Sequence, residues 1–398
     1  MNRISIVFIV LLTVILSCRE NENIVHSNSL IKLSSKATFD TLKIKIPKYS
    51  FSKSSELYFS HSILINDSEY LVIANSYSAT IHIIDIGNKV VSKTIKLNTE
   101  GPESVLSSRS FFYAELLHDF TILVIDPKSK KLSRIDTNAF VIARQKLDDF
   151  KNISYYPSIS WSTRGGLDNS NFYFPIAPEI DLTRTIKESS NLELKYLLKY
   201  DLSQNKISKI ITRNNYPSLE KFSNISAPCL SCFIAVHNDN LYLSDCTSDK
   251  IYIVNTGKDK IKSTIDSKSS YFKNIKVFSA SVEEMNANYS SYITNEYQNP
   301  CFLSTFIDTK RNILFRHLKH GLSDIEFKEN KYIWGQSFIL IDLFTQQKIG
   351  ELTLPRKLSN KEINFLEPLS TSIGILFPFA NPQSIDEEYF YFLRMSYF

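Results

Sequence analysis

Residues 57–97 read LYFSHSILI (57–65), EYLVIAN (69–75), TIHIIDI (80–86) and VVSKTIKL (90–97), parted by Asn66-Asp67-Ser68, a short polar break at 76–79 and Gly87-Asn88-Lys89. These are four β-branched, aromatic or aliphatic runs of strand length with turn residues between them. That pattern predicts an up-and-down antiparallel meander rather than helices. The same cadence returns along the chain. RSFFYAELL, FTILVID, KLSRID and VIARQKL form a second unit ending at Leu147. A third starts near Tyr156 and runs through NFYFPIA, LKYLLKYDL and ISKIIT. CFIAV, LYLSD, KIYIVN and IKSTI form a fourth; CFLSTFI, NILFR, SFILIDL and IGELTL form a fifth. The sixth, INFLEPL, GILFPFA and EYFYFLRMSYF, stops one strand short. The run ATFDTLKIKI at 37–46 has no unit of its own.

A ring in which 37–46 completes the sixth unit accounts for both irregularities. It also removes the unpaired apolar edges of an open array. The sequence therefore predicts an all-β domain over 37–398: a β-propeller of about six four-stranded blades, closed by the N-terminal strand joining the last blade. Composition agrees with this. The chain has 398 residues, enough for a large core built from repeats, and its 27 Phe and 21 Tyr favour strands. A net charge of +5 with scattered Lys and Arg gives no basic stripe, so nucleic acid is not an expected partner. No Gly-rich phosphate loop, HExxH or GxSxG is present, no catalytic residue is assigned, and no cofactor is expected.

Arg3 precedes an apolar run from Ile4 to Leu16, about 13 residues against the ~20 needed to span a bilayer. Residues 1–17 therefore read as a secretory signal. Ile15-Leu16-Ser17-Cys18 resembles the bacterial lipobox, which implies cleavage before Cys18 and lipidation of its thiol and amine. The polar, Ser/Asn-rich segment 18–36 then reads as a flexible tether, and the expected location is the outer membrane, facing the periplasm or the cell surface. A lipobox, a six-unit meander and Glu100-Gly101-Pro102-Glu103-Ser104-Val105 after the first unit together resemble the TolB-like six-bladed β-propeller lipoproteins of Bacteroidota, a family of unknown function. That resemblance bears on fold and location and carries no catalytic residues with it.

In a propeller the connections between second and third strands, and between successive blades, share one face. Here these are the long ones: 178–193 (with Arg184), 213–227, 266–300, 316–336 and 355–361. Long loops on a rigid ring are where binding is expected. Tyr155, Tyr156, Trp161 and Arg164, beside Gly165-Gly166, suggest an exposed stacking platform for a sugar or a protein, and Trp334 suggests another. The alternative is aromatic packing between blades. His317 and His320 have the spacing of a helical turn, but no third ligand converges on them, so they read as solvated loop histidines and no metal site is expected.

Of five cysteines, Cys229 and Cys232 form a CxxC after Pro228, without the helix that a redox motif needs. A hairpin centred on Asp239 would place Cys232 opposite Cys246, within reach of a disulfide or as a reduced buried pair. The functional expectation is a lipid-anchored, non-catalytic envelope protein that binds a protein, peptide or glycan through its loop-rich face. The alternatives are a glycan-active hydrolase or lyase with its site at the channel, and a structural subunit of an envelope complex.

Overall fold

The computed structural model describes residues 37–45, 57–107, 111–147, 155–157, 164–178, 195–212, 232–258, 260–272, 275, 287–329, 333–358, 361–362, 365, 367–378 and 389–397. Six antiparallel meanders follow one another, and we letter their strands A to D in order of pairing. Unit one has Leu57–Phe59 and Ile63–Ile65 as an interrupted strand A, then Ser68–Asn75, Thr80–Asp85 and Val90–Lys96. Unit two is Tyr113–Leu116, Ile122–Asp126, Lys131–Ile135 and Val141–Lys146. In unit three, strand A is again interrupted: Tyr155–Pro157 and Gly166–Leu167 both pair with Asn171–Pro178, which continues into Lys195–Asp201 and Lys206–Thr212. Unit four is Phe233–His237, Asn240–Ser244, Lys250–Asn255 and Lys260–Asp266; unit five is Cys301–Asp308, Ile313–Lys319, Gln336–Asp342 and Gln347–Leu354. Two short helices, Tyr289–Gln298 and Asp324–Lys328, sit in connections flanking unit five's strands A and B.

The sixth unit runs Leu369–Thr371, Gly374–Pro378 and Tyr389–Ser396, and its fourth strand comes from the other end of the chain. Thr38–Lys45 pairs antiparallel with Tyr389–Ser396 over eight residues, from Thr38 opposite Ser396 to Lys45 opposite Tyr389. Arg394 pairs with Asp40 across this seam, its Nε donating to Oδ1 at 2.7 Å. Lys45 also bridges to Val90, which links the sixth sheet to the first.

Burial falls from strand B to strand D. Ile122–Asp126 is buried throughout, whereas Val90–Lys96 and Lys260–Asp266 each bury one residue. Thr38–Lys45 buries only Leu42 and Ile44, the profile of an outer strand. Apolar side chains from neighbouring sheets fill the spaces between them. Leu42, Ile44 and Phe390 of the sixth sheet pack with Leu71, Ile73 and Ile84 of the first. Tyr173 and Leu197 pack with Leu241 and Leu243, and Ile251 and Ile253 pack with Leu314 and Ile339. The result is an all-β molecule whose successive sheets pack face to face, consistent with a β-propeller.

Local chemistry punctuates the repeat. Strand C ends in Asp85, Asp201, Asn255 and Asp342 in units one, three, four and five, and Asp136 directly follows it in unit two. Each of these side chains accepts a backbone N–H two or three residues on: from Asn88, Asn138, Gln204, Lys258 and Thr345, at 2.7–3.0 Å. An Asx side chain that imitates a backbone turn fixes each hairpin, and in units two, three and five it does so without glycine. Left-handed residues are likewise mostly not glycine: Asn66 and Asp67 have φ of 49° and 63°, Asn238 and Asp239 of 44° and 52°. Two successive left-handed residues make the tight turn that suits twisted hairpins.

That second turn corrects the expected cysteine pairing. His237 pairs with Asn240 and Phe233 with Ser244, so the turn is centred between Asn238 and Asp239, not on Asp239. Continuing the ladder by one residue puts Cys232 opposite Asp245. Because side chains alternate, a one-residue slip moves a residue to the other face of a sheet. Cys232 accordingly packs with Ile234, Leu241 and Leu243, and Cys246 with Phe233, Ala235 and Tyr242 on the opposite face. Cys232 is outside any disulfide, burial pushing its thiol up to about 12, and Cys301 is a thiol as well. Cys246 is disulfide-bonded. Of the five cysteines, that leaves Cys18 and Cys229, both outside the described residues, as its possible partners.

Candidate functional site

Strand A of each unit lies innermost, and the strand-A ends converge on one cavity of about 590 Å³. Unit one contributes His61, Ser62, Ile63, Leu64 and Glu69; unit two Glu115 and His118; unit three Gly166 and Leu167. Ala235 and Val236 come from unit four, Ile307 to Lys310 from unit five, and Ser370 to Ser372 from unit six. The volume suits a small-molecule ligand. Leu64, Glu69, His118, Thr309, Lys310 and Ser372 lie in or beside the turns between strands A and B. The cavity thus sits at the short-turn end of the axis and not among the long connections, where the sequence placed binding. Of those connections, 179–194, 213–231 and 276–286 lie outside the described residues.

Two interruptions of strand A bring polar groups to the axis. In unit one the break at residues 60–62 interrupts pairing between Phe59 opposite Ile73 and Ile63 opposite Tyr70, and His61 lies in it. Ser60 repairs the ladder: its N–H donates to Val72 O at 2.9 Å, and its Oγ accepts from Val72 N at 3.0 Å. Bulges of this kind redirect side chains. In unit three, Pro157 pairs with Ile176 and Gly166 with Tyr173, so residues 158–165 stand against only two on the partner strand. Gly165 and Gly166 are needed for this. A Cβ on Gly165 would lie 2.1 Å from Phe172 Cζ, and one on Gly166 2.5 Å from Val236 Cγ2 of the next unit.

These glycines draw Arg164 inward, and it is only 6% exposed. Its Nη1 donates to Pro368 O of unit six at 2.7 Å. Its Nε and Nη2 are sealed from solvent and have no hydrogen-bond partner among the described residues. Two carboxyl groups, Glu115 and Glu367, lie within electrostatic reach of the guanidinium. Arg164 therefore does not form the exposed platform expected from the sequence.

Glu115, on strand A of unit two, is 3% exposed. Tyr113 donates its hydroxyl to Glu115 Oε2, and the Tyr113 oxygen accepts from Gly165 N at 3.2 Å. Burial raises the Glu115 carboxyl to about 8, against the opposing pull of the Tyr113 hydroxyl and the Arg164 charge. Glu115 is therefore a neutral acid at pH 7. Burial also raises Glu367, whose φ of 56° is a strained backbone for a side chain of its size. Desolvation takes His61 down to about 3, and Arg164 pushes the same way, so its imidazole is neutral.

The remaining expectations fall elsewhere. Tyr155 and Tyr156 are in strand A of unit three, and their side chains are outside the description, as are Trp161, Arg184 and Cys18 entirely. Trp334 does not stand exposed as a platform. It stacks on Tyr297 at 5.3 Å, and Lys319 Nζ lies 4.5 Å over its ring, which ties the insertion of unit five to the helix Tyr289–Gln298. His317 and His320 are neither solvated nor on a helical turn. His317 is fully buried on strand B of unit five, 3.3 Å from Gln336 Oε1. His320 stacks on Tyr271 and bonds Ser337 Oγ at 3.0 Å. No group of three or more His, Cys, Asp or Glu is placed to hold a metal ion among the described residues.

Sequence reasoning missed Glu115, His61 and Glu367. A signal did exist for the first: YAELL puts one carboxylate inside an otherwise apolar inner run, where an unpaired charge is costly and so marks a site.

No family model and no curated protein matches this chain. Among solved structures, it is similar to a member of the DUF4221 family from Bacteroides vulgatus. The likeness has 18% identity and a TM-score of 0.68, and covers 91% of this chain and 99% of that one. A candidate exported protein from Bacteroides fragilis is similar at 14% identity and a TM-score of 0.50, over 91% and 96% of the two chains. At these identities the likeness is one of fold. No helix among the described residues is long and apolar enough to cross a membrane.

Proposed function

We propose that this chain is a six-bladed β-propeller lipoprotein of the bacterial envelope, anchored through Cys18, that binds a ligand without transforming it. We place the binding site in the axial cavity at the short-turn end. The observation that carries this reading is the convergence of six strand-A ends on one cavity whose wall holds a nearly fully buried carboxyl group. The likeness in fold to Bacteroides proteins supports membership of a TolB-like or neighbouring family of that phylum. The disulfide at Cys246 supports export, because such bonds persist in oxidising compartments. If Cys18 carries lipid, the bond joins Cys229 to Cys246. Non-reducing peptide mapping of protein from envelope fractions is expected to recover that pair, and recovery of both as thiols would count against an exported chain.

The site is tested by a glycan and peptide array with pull-down from envelope extract, each repeated with Leu64→Trp. Leu64 is 61% exposed and lines the cavity, so the larger ring obstructs entry without disturbing the core. Ligands held by the wild type and lost by the variant support the cavity; equal capture by both sends the search back to the long-loop face.

One observation favours the enzymatic alternative, a hydrolase or lyase acting on glycans. Glu115 is a carboxyl kept protonated near neutral pH in a cavity, the property of a general acid. Glu115→Gln separates the readings: in an enzyme, turnover of a bound glycan disappears while binding persists.

A further inference from the structure

We propose that the axial cavity takes a primary ammonium group, set against Glu115 Oε1, on a ligand whose adjoining stem is aliphatic. This deepens the binding reading above and rests on it. Glu115 is 3% exposed and lines the cavity. Its Oε2 is engaged by Tyr113, and Oε1 has no hydrogen-bond partner among the described residues. Once Glu115 is ionised, Oε1 is an acceptor beside the cavity and calls for a donor on whatever fills it. Among the described residues the other charged wall groups are Glu69, Asp308 and Lys310, so carboxylates outnumber cations there and an anion is disfavoured. Arg164 cannot receive an anion either, since its free edge is closed to solvent. Arg164 with ionised Glu115 and Glu367 sums to one negative charge, and one ammonium neutralises it.

The geometry also selects among cations. A guanidinium wants two parallel acceptors, and here one oxygen is already occupied. A quaternary ammonium wants an aromatic cage. Among the described residues the wall has no Phe, Tyr or Trp; Ile63 and Val236 offer aliphatic surface instead. A compact ammonium on an alkyl stem matches one oxygen and an aliphatic wall. Glu115 is protonated before binding, so the ammonium enters as Glu115 loses its proton to the buffer, with no other bond made or broken. Tyr113 and Arg164 act directly on Glu115, with Tyr58, His61 and Glu367 around them, and Lys310 across the cavity.

The test is calorimetric titration of the purified full chain with n-butylamine and with 1-butanol, which share a stem. At pH 8 the amine is expected to bind about tenfold tighter or more, the worth of one charge-assisted hydrogen bond. Near pH 6.5, titration in buffers of different ionisation enthalpy should show close to one proton released per amine. Glu115→Gln should remove both the preference and the proton release while the alcohol still binds. Equal binding of amine and alcohol, both blocked by Leu64→Trp, overturns the ammonium assignment and leaves the cavity reading standing. Failure of both probes to bind overturns the two together.

Discussion

Deleting residues 1–45 is expected to abolish the folded monomer, although the deletion removes only one described strand. Thr38–Lys45 pairs with all eight residues of Tyr389–Ser396 along one edge and buries Leu42 and Ile44 between the sixth and first sheets. Emptying two such core positions costs roughly 2–5 kcal/mol each, against about 5–15 kcal/mol for the whole domain. The deletion also bares the apolar strand Tyr389–Ser396 as an open edge, a template for association between chains. Size-exclusion chromatography and circular dichroism should report aggregate or an unfolded chain. Ile44→Asp should reproduce much of this loss, because it buries a charge where the native side chain has no exposed surface. Mutation of Asp40, whose carboxylate is half exposed, should have little effect. A cooperative melt of the truncated monomer near the parent temperature would mean that the ring is not closed by this strand.

The second large effect concerns pH. Glu115 titrates at about 8 in the folded protein against an ordinary 4.5. Between those values the folded state holds a proton that the unfolded state has lost, so stability falls as pH rises. The contribution is complete below about 4.5 and gone above about 8, changing by up to about 1.4 kcal/mol per pH unit. Three desolvated histidines act in the other direction. Burial lowers His61 and His317 to about 3 and His82 to about 4. Their stabilising contribution is present above the ordinary value of 6.5 and is lost as pH falls from there through those values. The two trends oppose each other, so denaturant midpoints should peak in mildly acidic solution and decline on both sides. Glu115→Gln keeps a neutral polar side chain and removes the alkaline limb, so it should be markedly more stable than the parent at pH 8–9 and near parity at pH 5. Parallel pH profiles for parent and variant would show that Glu115 does not carry a raised pKa.

The two expectations draw on different parts of the molecule. The ring was legible because its signals are local: runs of β-branched and aromatic residues, turn residues between them, and an orphan strand at 37–46 against a unit lacking its fourth. None of these depends on knowing which sheets are neighbours. The site was legible only in fragments. Arg164 stood out beside Gly165-Gly166, yet the glycines that suggested an exposed turn instead let the chain press against Phe172 and Val236 and carry the arginine inside. Trp334 stood out by size and proved to be packing for Tyr297. Cys232 and Cys246 were placed face to face by a turn centre half a residue off, and half a residue of centre is a whole residue of register.

The amino-acid sequence by itself determined the strand runs, the turns between them and the need for the two ends to meet, because alternation and turn chemistry act within about ten residues of chain. The tertiary structure alone decided that Glu115, His61, Arg164 and Glu367 share one axis. They come from four different units, and the protonation of Glu115, His61 and Glu367 follows from the burial those units impose together. Desolvation depends on what surrounds a group in space, and no periodicity along the chain encodes it.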